Sequence, residues 1–111
     1  MRVWDVPVKN LCRKHLLGEH RELHAVWNIL TVHGGKGGYS SHPETKRWSG
    51  RLKALYIRHE KEVVEMKRRG YVHRSPLDPK LARGRAVQDR FVNTLAEQKQ
   101  ILINKGCFCF K

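Results

Sequence analysis

Three residues near the start of the chain, His15, Glu19 and Glu22, have types and spacing that could do chemistry. His15, Glu19, Glu22 and Val26 are separated by 4, 3 and 4 positions, so on a helix they line one side, with Arg21 beside Glu22. Two carboxylates and a histidine are the residue types used for proton transfer and for stabilising positive charge on a substrate. The cluster alone is a weak signal, because most helix charges face water. Metal chemistry is the main rival. His20 and His24 stand four apart, a helical spacing that can hold zinc, and Cys107-x-Cys109 could add thiolates. The cysteine gap is not the usual two residues, and no further set of ligands is recognisable. His33, His42, His59 and His73 read as scattered surface or packing residues. No metal and no cofactor is expected.

The balance of charge narrows the partners. The 111 residues carry 23 Lys and Arg against 10 Asp and Glu, a formal net charge of +13. The basic excess is heaviest between residues 34 and 75, with eleven cations and four acids. Such an excess repels itself, and a polyanion relieves the repulsion, which points first to DNA or RNA. An acidic membrane surface comes second, and a merely solubilising surface is the bland alternative. The length supports one domain, and 40% hydrophobic residues set it apart from a disordered basic tail. No apolar run is long enough to span a membrane. The opening Met1-Arg2-Val3-Trp4-Asp5 does not read as a signal peptide. Three cysteines, an odd number, point to a reducing compartment such as the cytoplasm of a bacterial, archaeal or viral system.

The elements that must carry these residues are helical. Cys12, Leu16, Leu23, Trp27 and Leu30 recur at helical spacing, which predicts a first helix from about Pro7 to His33, ended by Gly34-Gly35. A basic loop with Lys36, Ser40-Ser41, Lys46 and Arg47 runs to about Trp48. Leu52, Leu55, Tyr56, His59, Val63 and Met66 make the stripe of a second helix from about Ser49 to Arg69, with Gly70 at its end. Val87, Phe91, Leu95 and Leu102 predict a third from about Pro79 to Lys105, ended by Gly106. Val3 to Val8 could be extended, but one strand makes no sheet. The expected fold class is all-α: a three-helix single domain spanning 1–111 with an extended N-terminal arm. Trp27 reads as core, while Trp4 and Trp48 could stack on bases.

The run Lys14-His15-Leu16-Leu17-Gly18-Glu19-His20-Arg21-Glu22-Leu23 resembles the signature of the pyrimidine-dimer DNA glycosylases, the phage endonuclease V-like DNA glycosylase/AP lyases. His15, Leu16, Glu19, Arg21, Glu22 and Leu23 match in type and spacing, as does Arg2. A weaker likeness continues to Lys67-Arg68-Arg69-Gly70-Tyr71 and fades after about residue 77. The resemblance implies that the N-terminal α-amino group attacks the deoxyribose C1′, displaces the base and forms a Schiff base, and that β-elimination then nicks the strand. An α-amine has a pKa of about 7.7–8.0, so part of it is neutral and nucleophilic near neutral pH, unlike a lysine at about 10.4. Arg2 nearby should lower it further.

By the same resemblance Glu22 is the catalytic carboxylate, His15 orients the amine or the sugar, and Arg2 and Arg21 bind phosphates of a bent duplex with a flipped nucleotide. Lys14, Arg47 and Arg51 are the further cations expected on DNA. Three departures stand out. The phage-type enzyme loses its initiator methionine and presents a small hydroxyl residue, whereas here Arg2 follows Met1, so Met1 itself is the expected nucleophile. The family's arginine three residues after the glutamate is Ala25 here. The family's Trp/Tyr-rich tail is replaced by Phe108 and Phe110 among cysteines.

The expected function is thus a monomeric DNA repair glycosylase with AP lyase activity on pyrimidine dimers or related damaged or abasic sites in double-stranded DNA. No membrane is involved. The alternatives are a non-catalytic basic DNA- or RNA-binding module and a basic subunit of a ribonucleoprotein.

Overall fold

A pair of long helices and a shorter third follow an extended arm in the computed structural model, which describes residues 3–32, 42–73, 76–106 and 109–110. Met1, Arg2, His33, the Gly34-Gly35 stop, Lys36, Ser40-Ser41, Cys107 and Phe108 lie outside the described residues. The helices are α1 (Arg13–Thr31), α2 (Pro43–Lys46), α3 (Leu52–Arg68) and α4 (Leu95–Asn104), with 3-10 turns at Val8–Asn10 and Pro79–Leu81. The class is all-α, with three long helices as the periodicity predicts and no strand among the described residues.

The first helix starts later than expected. Pro7 keeps an extended ψ of 134° and opens the 3-10 turn, and α1 begins only after Cys12, whose carbonyl accepts from the Leu16 N–H at 2.8 Å. The chain before it is extended, and it buries Val3, Trp4, Val6 and Val8. α1 turns Leu16, Leu23, Val26 and Trp27 inward, and α3 turns Leu55, His59, Val63 and Met66 inward. Leu16 shares a cluster with Met66, while Leu23 and Trp27 share one with Ala54 and Leu55. The two helices therefore run antiparallel, and the arm contributes to both clusters: Val3 to one, Trp4, Val6 and Val8 to the other.

α3 ends as its sequence predicts. Gly70 has φ +89°, its N–H donates to the Lys67 carbonyl at 3.0 Å, and the Tyr71 N–H reaches the Met66 carbonyl at 2.8 Å. This is a Schellman closure, completed by Tyr71 packing into the cluster that holds Met66.

The third helix is much shorter than expected. Only Leu95–Asn104 is helical. Val87 and Phe91, assigned to its buried stripe, are 63% and 44% exposed, as is much of Leu95, whereas Leu102 is buried. The reason lies at the other end of α3. The first amides of a helix lack intrahelical partners. Here the Arg83 carbonyl accepts from the Lys53 N–H at 2.8 Å and the Arg85 carbonyl from the Ala54 N–H at 3.1 Å. The Arg85 N–H returns to the Gly50 carbonyl at 2.9 Å. Residues 83–85 must stay non-helical to do this. The true start of α4 is set by Thr94 and Glu97, which form a reciprocal capping box. The expected loop to Trp48 likewise contains the short α2.

Gly84 sits at φ +84° directly under Gly50, so a Cβ there would collide with the Gly50 carbonyl. Gly70 has a similar φ with open space around it. Gly70→Ala should therefore show only backbone strain, about 1–2 kcal/mol. Gly84→Ala should cost more and lower Tm further, by several degrees, since 1 kcal/mol is worth about 4–8 °C in a domain near this size. Thermal melts of the two variants check this, and equal losses would refute the close approach.

Candidate active site

A single extended segment buried among helices has no neighbouring strand, yet its N–H and C=O groups still need partners. Side chains supply them. Glu19 Oε1 accepts the Trp4 N–H at 2.8 Å, and Glu44 Oε1 accepts the Val3 N–H at 3.1 Å. Arg47 Nη2 donates to the Val3 carbonyl and Arg58 Nη1 to the Val6 carbonyl, both at 2.6 Å. Gln98 from α4 grips Asp5 twice, accepting its N–H at 2.7 Å and donating to its carboxylate at 2.9 Å.

The clamping side chains are paired among themselves. Arg58 meets Glu19 through two bonds of 2.8 and 2.9 Å, and Arg47 meets Glu44 at 3.0 and 2.9 Å while also reaching Asp5 at 2.8 Å. Burial holds the Glu19 carboxyl above the usual carboxylate range, and Arg58 with the Trp4 N–H offsets only part of that rise. For Arg47 burial alone would lower the pKa, but bonds to Glu44 and Asp5 outweigh it and hold the guanidinium charged. Glu19 is therefore committed to the arm. The face shared by His15, Glu19 and Glu22 is roofed by that arm at its centre.

The expected site residues fall into three groups. Met1 and Arg2 lie outside the described residues. On α1, Glu22 is half-buried, and Lys14 and Arg21 are exposed. Val3, the first described residue, packs in the cluster containing Leu23 and Val26, the neighbours of Glu22 along α1. His15 is half-buried two turns before Glu22, with Nδ1 3.2 Å from Cys12 Sγ and 3.3 Å from Cys109 Sγ, and its ring edge-on to Trp4 with centroids 6.3 Å apart. Burial, then Lys105 and Lys14, lower its pKa, so it is neutral near pH 7. Arg47 is buried in the clamp, and Arg51 is held by Asp89 at 3.0 Å, so both cations expected on DNA are already engaged within the protein. All three tryptophans are buried, which removes Trp4 and Trp48 as exposed stacking platforms.

A cleft of about 700 Å³ runs between the arm and α3 past Lys9, Lys53, Tyr56, Lys61 and Val64, and neither His15 nor Glu22 lines it. Sequence reasoning missed Glu44, Arg58 and Gln98 as the arm's anchors. A signal for Arg58 was present, since it and Glu62 fall within the run of helical positions that Leu55, His59 and Met66 bury. It also missed that His59 and His73 gather with His20 and His24.

A strongly basic, all-helical protein with an amino-terminal arm locked against a helix bearing His15, Arg21 and Glu22 defines the class. The family model of the pyrimidine dimer DNA glycosylases matches residues 1–79, a span holding the arm, α1, α2 and α3. The chain belongs to that family. No curated protein and no solved structure gives a match.

Arg58 ties α3 to both Glu19 and the Val6 carbonyl of the arm. Removing one partner of a buried pair costs about 3–5 kcal/mol, because the other charge is left behind. Arg58→Ala should lower the unfolding free energy by about that amount in urea titrations, and Glu19→Gln combined with Arg58→Met should lose less. A loss below about 1 kcal/mol for Arg58→Ala would class the pair with exposed surface bridges.

Proposed function

We propose that residues 1–111 form one DNA glycosylase/AP lyase domain that acts as a cytoplasmic monomer on damaged double-stranded DNA through an imine at the Met1 amine. The observation that carries this reading is the anchoring of the arm. Val3 is fixed by Glu44, Arg47 and the cluster around Leu23 and Val26. Two residues of extended chain reach at most about 7 Å, so an amine on Met1 stays tethered close to that anchor. Glu22 is next to Leu23 and half-buried, so it is open to a substrate while Glu19 is not.

In this reading the neutral amine attacks C1′ of the flipped nucleotide and the damaged base leaves. Glu22 stabilises the positive charge developing on the sugar and moves protons as the imine forms. Loss of a proton from C2′ then expels the 3′ phosphate by β-elimination. His15 is assigned a positioning role through its contact with Trp4, on the arm itself. Arg2, Lys14 and Arg21 carry the phosphate contacts. Arg47 and Arg51 are left out of that face because Glu44, Asp5 and Asp89 hold them.

Borohydride reduces an imine to a stable amine, so it should trap this protein, with a free Met1 amine, on ultraviolet-damaged or abasic duplex. Mass mapping should place the adduct on Met1, and acetylating that amine should abolish it. Glu22→Gln should bind DNA normally and nick it about 10²–10⁴-fold more slowly, the usual range for a lost acid–base group. Binding without any trapped adduct would favour the non-catalytic basic module instead.

A further inference from the structure

We propose that His20, His24, His59 and His73 form a tetrahedral site for a zinc-class divalent ion that fastens α1, α3 and the segment after α3 together. This stands apart from the glycosylase reading. His20 and His24 each lie two residues from Glu22, which puts them on the far side of α1 from it.

One donor nitrogen from each of the four histidines lies within 4.8 Å of every other. His20 is 4.8 Å, centroid to centroid, from each of the rings of His24, His59 and His73. Zinc–imidazole bonds of about 2.0–2.1 Å put two ligand nitrogens about 3.3–3.4 Å apart on a tetrahedron. His20 Nε2 and His24 Nε2 are 3.2 Å apart, already one such edge. Imidazole rotation closes the wider ones.

The surroundings have the chemistry of a metal's outer shell. A ligating histidine usually gives its second N–H to a carboxylate, which fixes the tautomer and frees the other nitrogen. His20 Nδ1 is 2.9 Å from Glu62 Oε1, and His59 Nδ1 is 3.0 Å from Glu60 Oε1. In both rings Nε2 is left with its lone pair. The His59 side chain is fully buried, and its Nε2 has no hydrogen-bond partner among the described residues. As plain packing, that atom would lose its hydration with nothing in return. An ion at the centre of the four rings satisfies it, and the two carboxylates balance its charge. Four protein ligands close the coordination sphere, which makes the site structural.

The test uses the full chain, purified without chelator and analysed for metal. About one zinc per chain is expected, with Tm falling on chelation and rising again with added zinc. Cobalt(II) in its place should give the intense visible bands of a tetrahedral ion. His24→Gln and His73→Gln should lose the metal. Glu60→Gln alters an exposed side chain and should keep the fold, yet weaken zinc binding about 10–100-fold. Cys12→Ser, which touches the separate Cys12, His15 and Cys109 group, should leave zinc content unchanged. A wild-type chain with no zinc and no zinc-dependent Tm would overturn the proposal. So would zinc retained in His24→Gln and His73→Gln, or zinc lost in Cys12→Ser.

Discussion

An extended chain buried inside a helical protein has to find hydrogen-bond partners that a sheet would otherwise supply, and most of this structure follows from that need. Residues 3–6 solve it with side chains drawn from α1, α2, α3 and α4: Glu19, Glu44, Arg58 and Gln98, with Arg47 just beyond α2. Each anchor is charged or polar and buried, so each needs its own partner in turn. Hence the pairs Glu19–Arg58 and Glu44–Arg47, which satisfy one another and the backbone at once. Helices far apart in sequence are thereby tied to one short segment. Val3 is held beside the helix that carries Glu22.

That arrangement explains how a small basic protein can keep residues 3–6 in a defined place. Self-repulsion from a charge of +13 works against a compact state. Several cations are removed from that repulsion by burial against acids, Arg47 and Arg58 among them, and Arg69 and the exposed Arg68 share Glu65. The remaining exposed cations, including Lys14 and Arg21 on α1, stay available to a polyanion. Charge is thus divided between internal clamps and an outer surface, a division that a net total conceals.

Much of the local order could be read from the residues. The stripes of α1 and α3, the glycine stop at Gly70 and the extended arm all appear where spacing and side-chain type put them. Those features depend on contacts within a turn or two. The errors arose where a distant segment intervened. Val87 and Phe91 have helical spacing with Leu95, but residues 83–85 are held open by amides of α3. The Thr94 and Glu97 cap was visible in the chain and marked the true start of α4. Pro7 was compatible with a first helical turn, yet Val6 and Val8 are buried by the extended arm.

For the site, residue type and order sufficed to pick out Glu22, His15 and Arg21 as a helix-borne set and to suggest the family, because a motif on one helix is local in sequence and space alike. Which of the acids and arginines turn inward was settled only by packing. Glu19 and Glu22 are three residues apart on the same helix, yet one is sealed beneath the arm with Arg58 and the other keeps access to solvent. Likewise, nothing in the linear spacing joins His20 and His24 to His59 and His73. Antiparallel α1 and α3, and the turn at Gly70, bring those four rings together, since proximity between distant residues is a property of the folded path and not of the pattern along the chain.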